Sequence, residues 1–368
     1  MRLSEVATML RSRGPALREL GARADEARKR QVGDTVTYVV NRNINFTNVC
    51  VKSCRFCAFA KGYRSEEAYF YSSDEVVRRA QEAWDLGATE VCLQAGLAPK
   101  VDGETYVSLL TALKQALPDM HVHGFSPAEV SYGARTSGWT VQDMLHRLKD
   151  AGLGSLPGTS AEILDDTVRR RISPTRISTA QWVQVIRSAH RLGIPTTSTF
   201  MFGHVETPEQ LAAHLLLLRE IQQDSGGITE VVPLSFVHYE APLFALEPGV
   251  RPGPSGAEVQ AVFATTRLVL GDAIPNLQAG WVKEGPRGAQ VLLDWGANDL
   301  GGTLMNESIS TAAGAKHGQW VKPPELERLI RDAGRSPAQR TTLYAPVRSD
   351  PHPTLHSVKA EQPSAEAW

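Results

Sequence analysis

Three of the four cysteines in the 368-residue chain lie within eight residues of one another. Cys50, Cys54 and Cys57 form the spacing C-x-x-x-C-x-x-C, and Lys52 and Arg55 stand between them, so core packing is a poor explanation. Clustered thiols in a cysteine-poor chain are typical of metal ligands. A zinc site would need a fourth ligand, such as a distant histidine. A 4Fe–4S cluster held by three thiolates would keep one iron open to chelate a small molecule.

The composition is that of a globular protein with no strongly charged surface. Hydrophobic residues make up 42% and charged residues 21% of the chain, and 39 basic against 40 acidic residues give a formal net charge of -1. This balance lacks the basic excess of nucleic-acid-binding proteins. No apolar run reaches the roughly 20 residues that span a bilayer, and the N-terminus lacks the apolar core of a secretory signal. We therefore expect a cytoplasmic protein that binds neither nucleic acid nor membrane.

Apolar strand-like runs alternate with amphipathic helical runs along most of the sequence. Residues 1–35 are predicted to be helical, and "TVTYVVNRNINF" is the first predicted strand, directly before the cysteines. Strands that are almost continuously apolar and alternate with helices predict a parallel sheet covered by helices. We expect an α/β fold, a TIM-like (β/α) barrel, complete or partial, with its core in 36–275 and its completion in 276–345. The Pro- and Ser-rich segment 346–368 is predicted to be a disordered tail.

Functional side chains of such a barrel follow the carboxyl ends of the strands. Cys92, inside the strand-like run "EVCLQ", is instead predicted to be a buried packing residue. The polar residues that follow or end predicted strands include Asn43, Asn45, Gln94, His123, Ser126, Glu129, Thr159, Glu162, His204, His238, Asn298 and Asp299.

The cysteine motif resembles that of the radical S-adenosylmethionine (radical SAM) superfamily. Phe56 stands at the aromatic position directly before the third cysteine, on the loop after the first predicted strand. The resemblance implies a 4Fe–4S cluster on Cys50, Cys54 and Cys57, with S-adenosylmethionine bound at the open iron. It also implies that an electron from the reduced cluster cleaves the sulfonium to methionine and a 5'-deoxyadenosyl radical. The protein would position the reactive carbon and exclude water.

Longer stretches narrow the resemblance. The runs "EAWDLGATEVCLQAG", "AGLGSLPGTSAEILDD", "TTSTFMFGHVETPEQ" and "WGANDLGGTLMNESIS" resemble, in this order, the family of 5-amino-6-(D-ribitylamino)uracil–L-tyrosine 4-hydroxyphenyl transferases. The resemblance implies cleavage of the tyrosine Cα–Cβ bond and transfer of the 4-hydroxybenzyl group to the uracil, in biosynthesis of the deazaflavin coenzyme FO. Aminofutalosine synthase and dehypoxanthine futalosine cyclase of menaquinone biosynthesis are similar in the cluster loop and remain alternatives. A non-enzymatic iron–sulfur or zinc-binding module is the alternative from another class.

The resemblance and the strand positions together predict roles for further residues. Small residues around Gly96, after Gln94, would let the backbone approach the methionine amino group. Glu162 is predicted to bind the ribose hydroxyls and Arg176 the methionine carboxylate, which with Phe56 completes a cofactor site. Three histidines are predicted to move protons at neutral pH, namely His123, His204 and His238. The residues predicted to bind the polyol or the pyrimidine edge of the substrate are Ser126, Glu129, Asn298 and Asp299.

The same resemblance implies the molecules that the protein meets. These are L-tyrosine, 5-amino-6-(D-ribitylamino)uracil and a reductant such as ferredoxin or flavodoxin, with a second radical SAM subunit that closes the deazaflavin ring as functional partner. The sequence departs from the family pattern at Gly124, Ala128 and Phe202, and the last of these removes a tyrosine hydroxyl. We expect these departures to bear on the substrate pocket and not on the cluster ligands.

Overall fold

A computed structural model describes residues 1–347, so the predicted tail lies outside the described residues from position 348 onward. The strands are β1 Thr35–Val39, β2 Asn41–Asn45, β3 Glu90–Gln94, β4 His121–Gly124, β5 Thr196–Phe202, β6 Ile228–Ser235, β7 Asp299–Gly302 and β8 Ser336–Gln339. The helices are α1 Leu3–Leu10, α2 Gly14–Val32, α3 Ser73–Asp85, α4 Gly103–Ala116, α5 Pro127–Thr136, α6 Val141–Asp150, α7 Asp166–Ile172, α8 Thr179–Arg191, α9 Pro208–Ser225, α10 Pro242–Leu246, α11 Gly256–Leu270, α12 Trp281–Leu292, α13 Ile309–Ala312 and α14 Pro323–Asp332.

The strands close into a ring, so the predicted barrel is complete. β2, β3 and β4 pair in parallel, as do β5 and β6, and β7 pairs in parallel with β1, which leads into β2. Two short segments fill the remaining positions. Ser155 and Leu156 bridge β4 to β5, and Leu277 and Gln278 bridge β6 to β7.

The first predicted strand is observed as two strands separated by Val40. β1 pairs with β7 on one edge and with β8 on the other, whereas β2 pairs with β3. β8 therefore joins the ring beside β1, at the amino-terminal end of the barrel. The chain that follows β8 brings Arg340 and Thr342 to the lower wall of the barrel interior.

Residues 1–35 contain two helices and not the single helix that their periodicity suggests. α1 ends at Leu10, and Gly14, with a φ of +55°, precedes Pro15 at the start of α2. A proline fits the first turn of a helix because its missing N–H would be unpaired there, but it cannot continue a preceding helix. α1 packs against α9 and α2 against α11, so both helices cover the outside of the barrel.

Side-chain alternation along the strands separates the core from the barrel interior. In β3, Val91 and Leu93 are fully buried toward the surrounding helices, while Glu90, Cys92 and Gln94 face inward. The apolar core thus lies between the ring and its helices, and polar side chains are left to line the interior. Within residues 1–347, the helices lack the combination of length and hydropathy that crossing a bilayer requires.

Candidate active site

A cavity of about 380 Å³ occupies the barrel interior. It extends from the cysteine loop at the carboxyl ends of the strands to Glu90 and Arg340 near their amino-terminal ends. This is the position at which (β/α) barrels place their active sites. Its wall is built from alternate residues of the strands, such as Asn43 of β2 and Thr199 of β5.

All three clustered cysteines line this cavity and carry free thiols. Backbone hydrogen bonds hold the loop that bears them against its surroundings. The Cys50 amide donates to the Lys61 carbonyl at 3.1 Å, and the Arg55 amide donates to the Ile172 carbonyl at 2.8 Å. Backbone contacts therefore anchor the loop at Cys50 and at Arg55.

The thiols suit an iron–sulfur cluster in their chemistry. Burial raises the pKa of Cys54 to about 11 and also raises the pKa of Cys57, while the Arg176 guanidinium opposes both shifts and favours the thiolate form that iron binds. Across the described 347 residues, no three His, Cys, Asp or Glu side chains converge on a single metal-ion position. A cubane cluster presents its irons at separate corners, so its thiolate ligands need not converge on one point. Three soft sulfur donors around one cavity fit such a cluster.

Gly96 lies where the cysteine loop passes closest to β3. Its amide donates to the Thr47 carbonyl at 2.9 Å, and a Cβ at this position would lie 2.2 Å from the Val49 carbonyl oxygen. Only glycine therefore fits here without moving the loop. Gln94, two residues earlier, also lines the cavity and accepts a hydrogen bond of 2.8 Å from the Thr159 hydroxyl.

Glu162 and Arg176 form an ion pair on the cavity wall. The guanidinium donates to the Glu162 carboxylate at 2.7 Å and to the Ser160 hydroxyl at 2.8 Å, and it lies 5.9 Å from the centre of the Phe56 ring. Ser160 and Glu162 adopt positive φ values of 67° and 46°, which non-glycine residues rarely do. Such strain persists where surrounding contacts fix the backbone, and it is concentrated at functional sites.

Ser126 and Glu129 line the cavity and join it to the start of α5. The Glu129 carboxylate accepts hydrogen bonds from the Ser126 amide at 2.7 Å and from the Ala95 amide at 2.9 Å. Burial raises the pKa of Glu129 to about 7, although these hydrogen bonds oppose the shift. Glu129 therefore holds the Ala95 backbone, next to Gly96, in position.

His123 is the predicted histidine that the structure brings to the cavity. Its Nδ1 lies 2.6 Å from the Ser155 hydroxyl, and burial lowers its pKa to about 4, although the Glu90 carboxylate opposes the shift. At neutral pH the ring is uncharged, so it can both donate and accept a hydrogen bond.

The other two predicted histidines lie outside the cavity lining. His204 is fully buried in the turn after β5, where Nδ1 accepts from the Val205 amide at 2.7 Å and Nε2 lies 3.0 Å from the Met201 carbonyl. His238 packs against the tilted ring of Tyr239, with ring centroids 4.2 Å apart, and edge-on against Phe244. His204 thus uses both ring nitrogens in local hydrogen bonds and His238 packs against aromatic rings, so the predicted catalytic roles of both histidines have no support from position.

The expectation that Asn298 and Asp299 follow a strand was wrong, because Asp299 is the first residue of β7. The preceding apolar run belongs to α12 and a short 3-10 turn, so these residues lie at the amino-terminal end of the barrel. Asp299 accepts hydrogen bonds from Arg340, and the Asn298 Oδ1 accepts from Arg267 at 2.7 Å and from the Leu277 amide at 2.9 Å. Neither residue lines the cavity.

Several cavity residues were missed from the sequence. Cys92 faces the cavity instead of the core, and Glu230, Lys283 and Arg340 also line it. Glu230 stands alone as a charged residue in the apolar run "ITEVVPLS", which is the one signal that could have revealed an inward-facing position. Nothing local marks Arg340, because β8 brings it to the barrel through pairing with a strand some 300 residues earlier.

The three residues that depart from the family pattern are not among those that line the cavity, although Ala128 packs against Leu97 and Cys50, which are. Phe202 and Ala128 are buried in apolar clusters, and a Cβ on Gly124 would lie 3.2 Å from the Leu153 side chain. The tyrosine hydroxyl expected near the site at position 202 would thus lie in the core. These positions report on packing around the barrel and not on substrate contacts.

Comparison with known proteins places this geometry in a family. The model described as "Radical SAM superfamily" matches residues 44–218, and that described as "CofH/MqnC C-terminal region" matches residues 225–353. The chain is 53% identical to a 5-amino-6-(D-ribitylamino)uracil–L-tyrosine 4-hydroxyphenyl transferase of Methanopyrus kandleri, over 88% of both chains. The chain belongs to this transferase family. The radical SAM resemblance read from the cysteine motif is thereby confirmed.

Two further relatives show how much of each chain is covered by the similarity. The Archaeoglobus fulgidus transferase is 50% identical over 87% of this chain and 91% of its own. FO synthase of Streptomyces avermitilis is 48% identical over 94% of this chain, but the match covers only 40% of that enzyme.

Solved structures support the fold. Methylornithine synthase superimposes with a TM-score of 0.71 at 19% identity, over 92% of this chain and 94% of its own. A maturase of the [FeFe]-hydrogenase superimposes with a TM-score of 0.72 at 15% identity, over 94% of this chain and 74% of its own. At such identities the likeness concerns the barrel alone.

Proposed function

We propose that the protein is a radical SAM transferase that cleaves L-tyrosine and joins its 4-hydroxybenzyl group to 5-amino-6-(D-ribitylamino)uracil, in deazaflavin coenzyme FO biosynthesis. One observation carries the proposal: about half of the residues are identical to those of transferases with this activity over most of the chain. The three thiols that share the barrel cavity supply the matching chemical site.

The cofactors of this family define what the cysteine end of the cavity must hold. A 4Fe–4S cluster with S-adenosylmethionine would supply the radical chemistry that removes hydrogen from tyrosine and breaks its Cα–Cβ bond. Cys50, Cys54 and Cys57 would hold the cluster. The Arg176 guanidinium would bind the methionine carboxylate, and the backbone at Gly96 would approach the methionine amino group. Glu162, already bonded to Arg176 at 2.7 Å, would orient that guanidinium and reach the ribose hydroxyls.

The deeper part of the cavity offers hydrogen bonds to an uncharged polar molecule. Asn43, Thr199 and Gln278 line it from three separate strands, and their side chains make no hydrogen bond to another described residue. Neutral His123, whose Nδ1 is bonded to the Ser155 hydroxyl, adds Nε2 as one further hydrogen-bonding group. A pyrimidine with a ribityl chain presents many donors and acceptors, so we place 5-amino-6-(D-ribitylamino)uracil in this lower part. His123 would exchange protons with it, which is the role predicted for this histidine.

The proposed chemistry also requires other macromolecules. An external reductant such as ferredoxin or flavodoxin would supply the electron to the cluster, in a reducing cytoplasmic environment. The chain matches only 40% of FO synthase, so we assign closure of the deazaflavin ring to a second radical SAM domain or subunit.

The proposal is tested with protein reconstituted with iron and sulfide under anaerobic conditions. After reduction and addition of S-adenosylmethionine, tyrosine and the ribitylaminouracil, mass spectrometry should detect the hydroxybenzyl adduct together with 5'-deoxyadenosine. Parallel reactions with aminofutalosine-type substrates serve as controls. Adduct formation only with the latter would show that the assigned substrates are wrong, and a colourless protein without iron would contradict a cluster enzyme.

A further inference from the structure

Two of the cations that line the cavity make no ion pair within the described residues. Four basic side chains line the cavity within residues 1–347. Arg176 is paired with Glu162 at 2.7 Å, and Arg340 is paired with Asp299 and with Glu230. The remaining two are Lys52, on the cysteine loop at the mouth, and Lys283, deeper in the barrel.

The position of Lys283 is set by rigid neighbours. It follows Gly280 and Val282, which also line the cavity, and the fully buried Trp281, whose indole N–H donates to the Gly302 carbonyl at 2.9 Å. The helix then breaks at Gly285, where φ is +72°. This short anchored turn projects the Lys283 side chain into the same space as the cysteine thiols.

The Lys283 ammonium makes no hydrogen bond or ion pair with another residue of the described chain. The nearest influences are electrostatic: burial lowers its pKa, and the carboxylates of Glu307 and Glu284, followed by Glu162 and the Cys57 thiol, oppose that shift. Neither carboxylate makes an ion pair with Lys283, and both Glu307 oxygens accept the Ser310 amide, at 2.9 Å and 3.1 Å. A partly buried ammonium that makes no direct ion pair can gain a charge-assisted hydrogen bond from an incoming anion.

We propose that Lys283 binds the α-carboxylate of tyrosine and thereby selects an amino acid as the substrate from which hydrogen is removed. This inference rests on the proposed function. Two of the proposed reactants carry a carboxylate, namely S-adenosylmethionine and tyrosine, whereas the ribitylaminouracil carries none. The methionine carboxylate must lie at the cluster, where Arg176 stands beside Phe56. Lys283 lies on a different segment of the ring, after strand residues 277–278, so its anion is the second carboxylate.

The test compares tyrosine binding in the reconstituted holoenzyme and in its variants. Equilibrium dialysis with labelled tyrosine measures affinity, and two competitors dissect it: 3-(4-hydroxyphenyl)propionate keeps the carboxylate, and tyramine lacks it. We expect Lys283→Met to weaken the binding of tyrosine and of the propionate by about 100-fold, which is the usual effect of removing one partner of a buried charge pair. The affinity for tyramine should change by less than about threefold, because tyramine has no carboxylate for Lys283 to bind.

Two further variants separate charge from other roles. Lys283→Arg keeps the cation and should retain most of the affinity for tyrosine. Lys316→Met removes an exposed lysine outside the cavity and should behave as wild type. Iron content and affinity for S-adenosylmethionine should be unchanged in all variants.

Two results would overturn the inference. One is an unchanged ratio of propionate to tyramine affinity in Lys283→Met. The other is a Lys283→Arg variant as defective in tyrosine binding as Lys283→Met, since a transferable proton and not the charge would then matter. Failure of the proposed function is a separate outcome, because it appears as wild-type enzyme that forms no hydroxybenzyl adduct.

Discussion

Arg176 donates a 2.7 Å hydrogen bond to the Glu162 carboxylate on the wall that also carries the cysteine thiols. Glu162 is buried and Arg176 is largely buried, and Glu162 accepts the hydrogen bond from a strained backbone conformation with a φ of 46°. A pair fixed in this way orients the guanidinium in advance of its ligand. The arrangement leads to a prediction for cofactor binding.

Arg176→Met should weaken binding of S-adenosylmethionine by about 100-fold, and Arg176→Lys by about tenfold, because lysine keeps the charge but cannot donate in a fork. Calorimetric titration of the anaerobic holoenzyme measures both. Arg171→Lys is the matched control, since Arg171 is half exposed and pairs with Glu247 outside the cavity. Equal affinities in Arg176→Met and Arg171→Lys would contradict the assignment.

Cys54→Ser should abolish the iron–sulfur chromophore and lower 5'-deoxyadenosine formation by at least about 100-fold, because a hydroxyl does not replace a thiolate on iron. Cys92→Ser is the control: this thiol also lines the cavity but lies outside the cysteine triplet. Iron and sulfide analysis and the visible spectrum are the measurements. Full turnover by Cys54→Ser would exclude the cluster chemistry.

Gly96→Ala should displace the cysteine loop, since its new Cβ would stand 2.2 Å from the Val49 carbonyl oxygen. We expect a loss of about 2–4 kcal/mol in the free energy of unfolding and poorer retention of iron. Gly62→Ala provides the comparison, because nothing lies within 4 Å of a Cβ at that position. Urea unfolding measures the stability of the two variants. Similar midpoints would show that the loop accommodates the new methyl group without loss of stability.

Acid should destabilise the protein through His123. Its pKa is lowered from 6.5 to about 4 by burial, so the unfolded chain binds this proton more readily, and stability is lost as the pH falls through this range. Between pH 7.5 and pH 5.0 the wild type should lose about 2 kcal/mol through this histidine. The His123→Asn variant, whose amide can still form a hydrogen bond with the Ser155 hydroxyl, should lose less stability over the same pH range. Anaerobic urea unfolding at both pH values measures the difference, and parallel slopes for the two proteins would refute it.

Local patterns predicted the parts of the site that local structure positions. The cysteine spacing lies on one loop, Gln94 and Gly96 lie at the end of β3, and Glu162 and Arg176 lie on either side of α7, and each reaches the cavity as expected. The alternation of strands and helices likewise predicted the barrel, whose closure the strand pairing confirms.

The remaining errors arise from long-range geometry. His204 follows a strand as predicted, yet the tight turn there directs its ring into the protein, with both nitrogens bonded locally. The apolar run before Asn298 reads equally well as helix or strand, and its helical state moves Asp299 to the opposite end of the barrel. Arg340 reaches the interior only because β8 pairs with β1. Periodicity alone determines none of these placements.

Arg340, with Asp299 and Glu230 bonded to it, lies across the amino-terminal end of the cavity. Because these paired charges close the amino-terminal end of the cavity, every reactant must enter at the opposite end, beside the cysteine loop. The molecule that sits deepest must then arrive before the cofactor and depart after it. We therefore expect a compulsory sequence of addition, which initial-rate inhibition patterns would reveal, with random addition as the contrary result.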